Sequence, residues 1–169
     1  MTRQGIEAIV EALNAHRVRY LIAGGLAVVA HGYVRFTADV DIMLDLTPGN
    51  VNAAIAALEG LGYRPRAPVP FQDLADPRTR ERWVEEKGLT VFSLYSAAHP
   101  ATEIDLFVQL PLDFSAAYRA AVQIEIAPGI RAVFVSYDDL LHLKSQAGRP
   151  QDLEDIRQLE ALRRGESGE

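Results

Sequence analysis

The sequence predicts an α/β fold of the mixed, α+β kind: a mixed β-sheet flanked by helices on both sides, with a helix pair at the C-terminus. Three observations predict it. Residues 20–44 read as a strand, a Gly-Gly turn, a short helix and a second strand, so the apolar period changes from 2 to 3.6 and back. The same change of period recurs as far as residue 135. Beyond it, residues 136–162 carry only helical spacing, interrupted at Gly148-Arg149-Pro150.

Taken in order, Ile6, Ile9, Val10 and Leu13 recur at helical spacing and predict an amphipathic helix over 3–16. Residues 19–23 are a short apolar strand that runs into Gly24-Gly25, and an Ala-rich helix follows from Leu26 to about His31. The second strand, from Asp39 to Leu44, alternates: Val40, Ile42 and Leu44 form the buried face, with Asp39 and Asp41 on the other, their Cβ atoms about 7 Å apart. Thr47-Pro48 caps a helix bearing Val51, Ile55, Leu58 and Leu61, which Gly60 and Gly62 stop. Residues 63–71 hold three prolines and predict a loop. Residues 73–87 have helical propensity, broken near Asp76-Pro77, with Trp83 as the anchor to the core. Residues 89–95 and 103–109 form an antiparallel hairpin, 111–121 a short helix, and 123–127 with 131–135 a last strand pair across Pro128-Gly129. A helix starting at Ser136 or Tyr137, and another carrying Leu153, Ile156, Leu159 and Leu162, complete the chain. Residues 1–165 are expected to form a single domain, with a disordered tail at 166–169.

Composition narrows the function. With 169 residues, 49% of them hydrophobic, the chain can bury one sizeable core. A net charge of −6 argues against nucleic-acid binding by the whole surface, while leaving room for a local basic groove. The absence of cysteine excludes thiol catalysis, disulfides and Cys–Zn sites. No apolar run is long enough to span a bilayer, and the charged, amphipathic N-terminus is not a signal peptide, so a cytoplasmic location without membrane partners is expected.

The chemistry concentrates in residues 20–46. Asp39 and Asp41 repel one another unless a cation lies between them, and an all-oxygen donor set favours Mg²⁺ or Mn²⁺. Gly24 and Gly25 let a ligand approach the backbone at a helix start, where free N–H groups suit phosphate. Gly24-Gly25 followed by Asp39-Val40-Asp41-Ile42 resembles the G-[GS]…D-h-D signature (h apolar) of the polymerase-beta-like nucleotidyltransferase superfamily. The longer string G-G-L-A…H-G…R-F-T-A-D-V-D is similar to its small bacterial members. Among these are the AbiEii-type toxin–antitoxin proteins and the aminoglycoside and lincosamide nucleotidyltransferases.

The resemblance implies a nucleotidyltransferase-like fold and Mg²⁺-dependent transfer of a nucleoside monophosphate from an NTP to an acceptor hydroxyl or phosphate, with Asp39, Asp41 and a third acid as catalytic metal ligands. Asp105, alone among Ile104, Leu106 and Val108 in a predicted strand, is that acid. Arg35 and Thr37 either orient the phosphates or the Asp39 carboxylate, or form an ordinary solvent-facing turn. Lys144, one of two lysines in a chain of fifteen arginines, matches a Lys that AbiEii-like proteins carry on a C-terminal helix and is expected to bind triphosphate. The alternative for Lys144 is an ion pair with Asp152 or Asp155, the role expected of those two acids. His31 reads as a packing or capping residue and Glu103 as a hairpin-edge charge. The acceptor stays open between tRNA, a protein and a small molecule, as does a cognate toxin or antitoxin partner. A nucleotide-binding module without catalysis is the reading outside enzymology.

Overall fold

Helix α1 (Arg3–Ala15) starts where Thr2 Oγ1 accepts the Gly5 N–H, and it buries Ile9, Val10 and Leu13. Its N-terminal end is tied to the sheet: Thr2 N–H donates to Thr102 Oγ1 at 3.0 Å, and Gly5 packs so tightly on Thr102 that a Cβ there would lie 2.4 Å from its hydroxyl. Strand β1 (Tyr20–Ala23) is buried along its whole length. Helix α2 (Gly24–Ala30) begins at Gly24 itself, two residues before the predicted start, because Gly24 takes a left-handed φ of 62° that turns the chain directly from strand into helix. In β2 (Asp39–Leu44) the predicted alternation holds: Val40, Ile42 and Leu44 are at most 1% exposed, each burial contributing about 1.5–3 kcal/mol. Met43, on the same face as Asp39 and Asp41, is buried as well.

Helix α3 (Pro48–Gly60) has Thr47 at its N-cap and Pro48 at its first position. The expected loop at 63–71 is only partly a loop. Tyr63–Pro65 forms a short strand, β3, and Phe71–Ala75 a 3₁₀ turn. The prolines are compatible with β3 because it is an edge strand, where a missing N–H costs little. Helix α4 (Pro77–Lys87) follows the predicted break, capped by Asp76 and ended by Gly88 in the left-handed conformation; Trp83 stacks on Phe92 at 5.2 Å. Strands β4 (Val91–Ser96) and β5 (Glu103–Phe107) form the expected antiparallel pair. Helix α5 (Phe114–Ala120), strands β6 (Val122–Ala127) and β7 (Ile130–Phe134), and helices α6 (Tyr137–Ala147) and α7 (Pro150–Arg163) complete the order.

This computed structural model describes residues 1–165; the predicted tail at 166–169 lies outside them. The strands form one seven-stranded mixed sheet in the order β3-β4-β5-β2-β1-β7-β6, flanked by helices. β2 pairs antiparallel with β1 and parallel with β5. That register sets Asp41 opposite Ala23, the residue before Gly24, on one side and opposite Asp105 on the other; Asp39 is set opposite Glu103. The Gly-Gly turn, both aspartates of β2 and the lone aspartate of β5 therefore meet at one end of the central strands.

Candidate active site

Above these strand ends lies a cleft of about 740 Å³, and all eight residues nominated from the sequence line it: Gly24, Gly25, Arg35, Thr37, Asp39, Asp41, Asp105 and Lys144. Thr90, Val91, Phe107 and Pro111 extend its wall along the sheet; Leu140, Leu143, Gln146, Arg149, Gln151 and Asp152 close it from α6 and α7.

The sheet acids oppose one another. Burial first, then the Asp105 and Asp39 carboxylates, push the Asp41 carboxyl up to about 6; Lys144 and Arg149 pull it partly back. Burial, followed by Asp105 and Glu103, raises Asp39 also. Asp105 accepts a 2.5 Å hydrogen bond from Ser93 Oγ, whose residue stands opposite it in β4. The three acids expected to converge on a common ion share a sheet face and a neighbourhood. Among the described residues no three His, Asp or Glu side chains are gathered tightly enough to hold one ion as they stand. Asp105 is turned toward Ser93, a hydroxyl that the sequence reading passed over.

The glycines serve the protein's own packing first. A Cβ on Gly24 would lie 1.9 Å from Asp41 Oδ2, and one on Gly25 would lie 2.4 Å from Thr37 Oγ1 and 3.2 Å from Arg35 Nη2. Both glycines were expected to make room for a ligand. In the fold they also let Asp41 and Thr37 lie directly against the strand-to-helix turn, so a side chain at either disturbs the site before any ligand arrives. Thr37 Oγ1 meanwhile reaches the Asp39 carbonyl at 3.4 Å.

Arg35 is no solvent-facing turn residue. Its Nη2 donates to Asp155 Oδ2 at 2.9 Å, and its Nε lies 2.7 Å from Oδ1, off line for a hydrogen bond. Lys144, 5% exposed, has its ammonium between Asp152 Oδ1 at 2.9 Å and Asp155 Oδ2 at 2.8 Å. The ion-pair alternative for Lys144 is thus present, and buried, while the residue still lines the cleft. Asp152 also accepts from Arg149 Nε at 2.7 Å, and Asp155 from Gln151 Nε2 at 3.1 Å. Burial acts to raise Asp152, yet its bonds from Arg149 and Lys144 together bring it down to about 2. Asp155 behaves likewise: burial raises it, and Lys144, Arg35 and Gln151 carry it below the ordinary range.

In the sequence Arg149 stands in the Gly-Arg-Pro break, as the basic residue between Lys144 and Asp152. In the fold its side chain, 73% exposed, stands at the cleft's rim. His31 is a packing residue: its Nε2 meets the Val135 carbonyl at 2.8 Å. Glu103 is the expected edge charge, paired with Arg66 of the segment that follows β3.

This geometry agrees with the similarities of the chain. No curated protein matches it. A crystal structure of ANT(2")-Ia in complex with adenylyl-2"-tobramycin superposes with a TM-score of 0.59, over 95% of this chain and 87% of that one. Identity is 14%, so the likeness is one of fold. No described helix is long and apolar enough to cross a membrane. Residues 4–164 match the family described as "Nucleotidyltransferase of unknown function (DUF6036)", and the chain, a nucleotidyltransferase, belongs to that family.

Proposed function

We propose that this enzyme transfers a nucleoside monophosphate from an NTP to an acceptor hydroxyl, in a Mg²⁺- or Mn²⁺-dependent reaction centred on Asp39, Asp41 and Asp105. The observation that supports this reading is the register: three carboxylates share one sheet face beside the Gly24–Gly25 turn, where burial first, and then Asp105 and Asp39, raise Asp41 to about 6. The donor set fits a hard divalent ion, being all oxygen and carrying charge in excess of its cations. Asp39 and Asp41 would hold such an ion on the triphosphate side and Asp105 on the acceptor side. Bound there, the ion would supply neutralisation of the phosphate charge as pyrophosphate leaves.

The chain's own residues do the rest. Gly24 and Gly25 present backbone at the start of α2, with Thr37 beside them. Lys144 and Arg35, fixed by Asp155, give the triphosphate a positive wall, and Arg149 reaches it from the rim. Asp105, oriented by Ser93, accepts the proton of the attacking hydroxyl. We extend the proposal to one domain over residues 1–165, working in the cytoplasm where NTPs are supplied. The toxin–antitoxin setting implied by the sequence resemblance would make the acceptor a tRNA or a protein partner. A small-molecule acceptor is the second reading. ANT(2")-Ia, which is crystallised with an adenylylated small molecule, extends little beyond the region shared with this chain, so the fold reaches such an acceptor without a large added domain.

Calorimetric Mn²⁺ titration of the wild type and Asp41→Asn tests the centre. The wild type is expected to bind, and the variant to lose at least tenfold in affinity while remaining folded. Equal affinities would remove the metal assignment.

A further inference from the structure

We propose that the acceptor lies on the open face of β5, β4 and β3, and that this shelf is built for a nucleotide unit, with Tyr95 stacking its base and Arg64 and Arg66 facing its phosphate. The proposal rests on the placement of the triphosphate at Gly24–Gly25 given above. Nucleotidyl transfer is an in-line displacement, so the attacking oxygen approaches from the side opposite the leaving pyrophosphate. Across the sheet the order is β1, β2, β5, β4, β3. With pyrophosphate over the end of β1 and the acids on β2 and β5, the opposite side is the face of β4 and β3.

That face is not blank. Ser93, bonded to Asp105, begins it; Tyr95, two residues further along β4 and about 7 Å away, is 44% exposed. Arg64 stands opposite Tyr95 in β3. The Arg66 guanidinium lies 5.4 Å from the centre of the Tyr95 ring and is held there by Glu103, to which its Nε donates at 3.1 Å. Arg66 also belongs electrically to the site, since its charge lowers Asp39 against the effects that raise it.

The charge balance selects the acceptor class. Glu103 is matched by Arg66. Among the described residues Arg64 has no carboxylate partner, and its Nη1 donates only to the Tyr63 and Glu59 carbonyls, at 2.7 and 3.4 Å. Asp105 balances the charge of the shelf as a whole, but the distribution is uneven: at the β3 edge Arg64 stands without a carboxylate beside the exposed Tyr95 ring, which suits a phosphate there. A nucleotide unit supplies a sugar hydroxyl, a stacking base and a phosphate. In the step itself, the 3′ oxygen bonds to the α-phosphorus while the bond from that phosphorus to the α–β bridging oxygen breaks. The electron pair leaves with pyrophosphate, and the hydroxyl proton passes to Asp105.

The test offers each labelled NTP with Mn²⁺ and four acceptors: a single-stranded oligoribonucleotide, the same strand ending in a 3′-deoxynucleotide, a free mononucleotide and an aminoglycoside. Label is expected on the 3′-hydroxyl strand or the mononucleotide, whichever is the source of the unit, and not on the 3′-deoxy strand. Tyr95→Ala should raise the KM for that acceptor about tenfold, in the range a lost base–aromatic stack produces. Its KM for the NTP should stay unchanged. Label confined to the aminoglycoside, label on the 3′-deoxy strand, no label on any of the four, or an acceptor KM unmoved by Tyr95→Ala would overturn the shelf. NTP binding, followed separately by thermal shift with Mn²⁺–NTP, distinguishes the failures. Binding without transfer to a nucleotide unit defeats the shelf alone, whereas no binding defeats the nucleotide site and the shelf with it.

Discussion

Two groups of carboxylates border the same cleft, and the protein treats them in opposite ways. Asp152 and Asp155, on α7, are 1% and 0% exposed, and each is met by two cations: Lys144 and Arg149 for the first, Lys144 and Arg35 for the second. Asp39, Asp41 and Asp105, on the sheet, have chiefly one another, with Lys144 and Arg149 acting on Asp41 from across the cleft. The difference shows in their protonation: against its own burial Asp152 is brought to about 2 by Arg149 and Lys144, whereas burial first, and then Asp105 and Asp39, raise Asp41 to about 6. Acids that carry their own counter-charge hold structure together. Acids gathered against repulsion have stability to gain from an external cation, as the proposed metal-dependent transfer would require of them.

The comparison can be broken most severely from the helix side. Asp155→Ala leaves Lys144 and Arg35 buried with half their partners removed, and should destabilise the protein by about 3–5 kcal/mol, measured by urea denaturation. A loss below about 1 kcal/mol would mean that the network is ornamental. Lys144→Ala belongs to the same class; because the lysine is buried, its loss should exceed the value of about 0–1 kcal/mol that an exposed pair would have.

Gly24→Ala tests where the two halves of the site touch. The new Cβ meets Asp41 Oδ2 at 1.9 Å, and the left-handed φ of 62° adds about 1–2 kcal/mol of backbone strain. Transfer activity should fall on the order of 100-fold or more as Asp41 is displaced, with a modest drop in melting temperature. Wild-type activity in a folded Gly24→Ala would place Asp41 outside the reaction.

The smallest effect has the opposite sign. Because the folded state raises Asp41 from 3.8 to about 6, it binds more protons than the unfolded chain between these values. Stability of the metal-free protein should therefore fall as pH rises from about 4 to about 6. Asp41→Asn should flatten that slope and, above pH 6, stabilise the metal-free protein by about 1–3 kcal/mol. Asp152 works the other way: its contribution is present above about 4 and is lost as pH falls toward about 2. A wild-type slope that persists in Asp41→Asn would assign the titration to another group.

Much of this was legible before any coordinates. The strand–Gly-Gly–helix–strand unit, the alternation that puts Val40, Ile42 and Leu44 inward with Asp39 and Asp41 outward, and the lone Asp105 among apolar neighbours are local patterns. They follow from the period of 2 in a strand and from glycine's freedom at positive φ. The C-terminal helix pair and its break at Gly148-Arg149-Pro150 were legible for the same reason. β3 was not, because three prolines outweigh Tyr63 in any local reading, and only the free edge of β4 makes a strand there worthwhile.

By itself, then, the sequence determined which residues could be nominated for the chemistry, since identity and spacing along one strand or turn are properties of the chain. Tertiary structure decided how they are charged and held. The pairing of β2 with β5 brings residues 41 and 105 side by side, and the packing of α7 brings residue 155 to Arg35, 120 positions away. It also set Asp41 and Thr37 directly against the Gly24–Gly25 turn. Coulomb interactions and steric contacts depend on distance in space, and distances between segments far apart in the chain are set only when the sheet and helices pack.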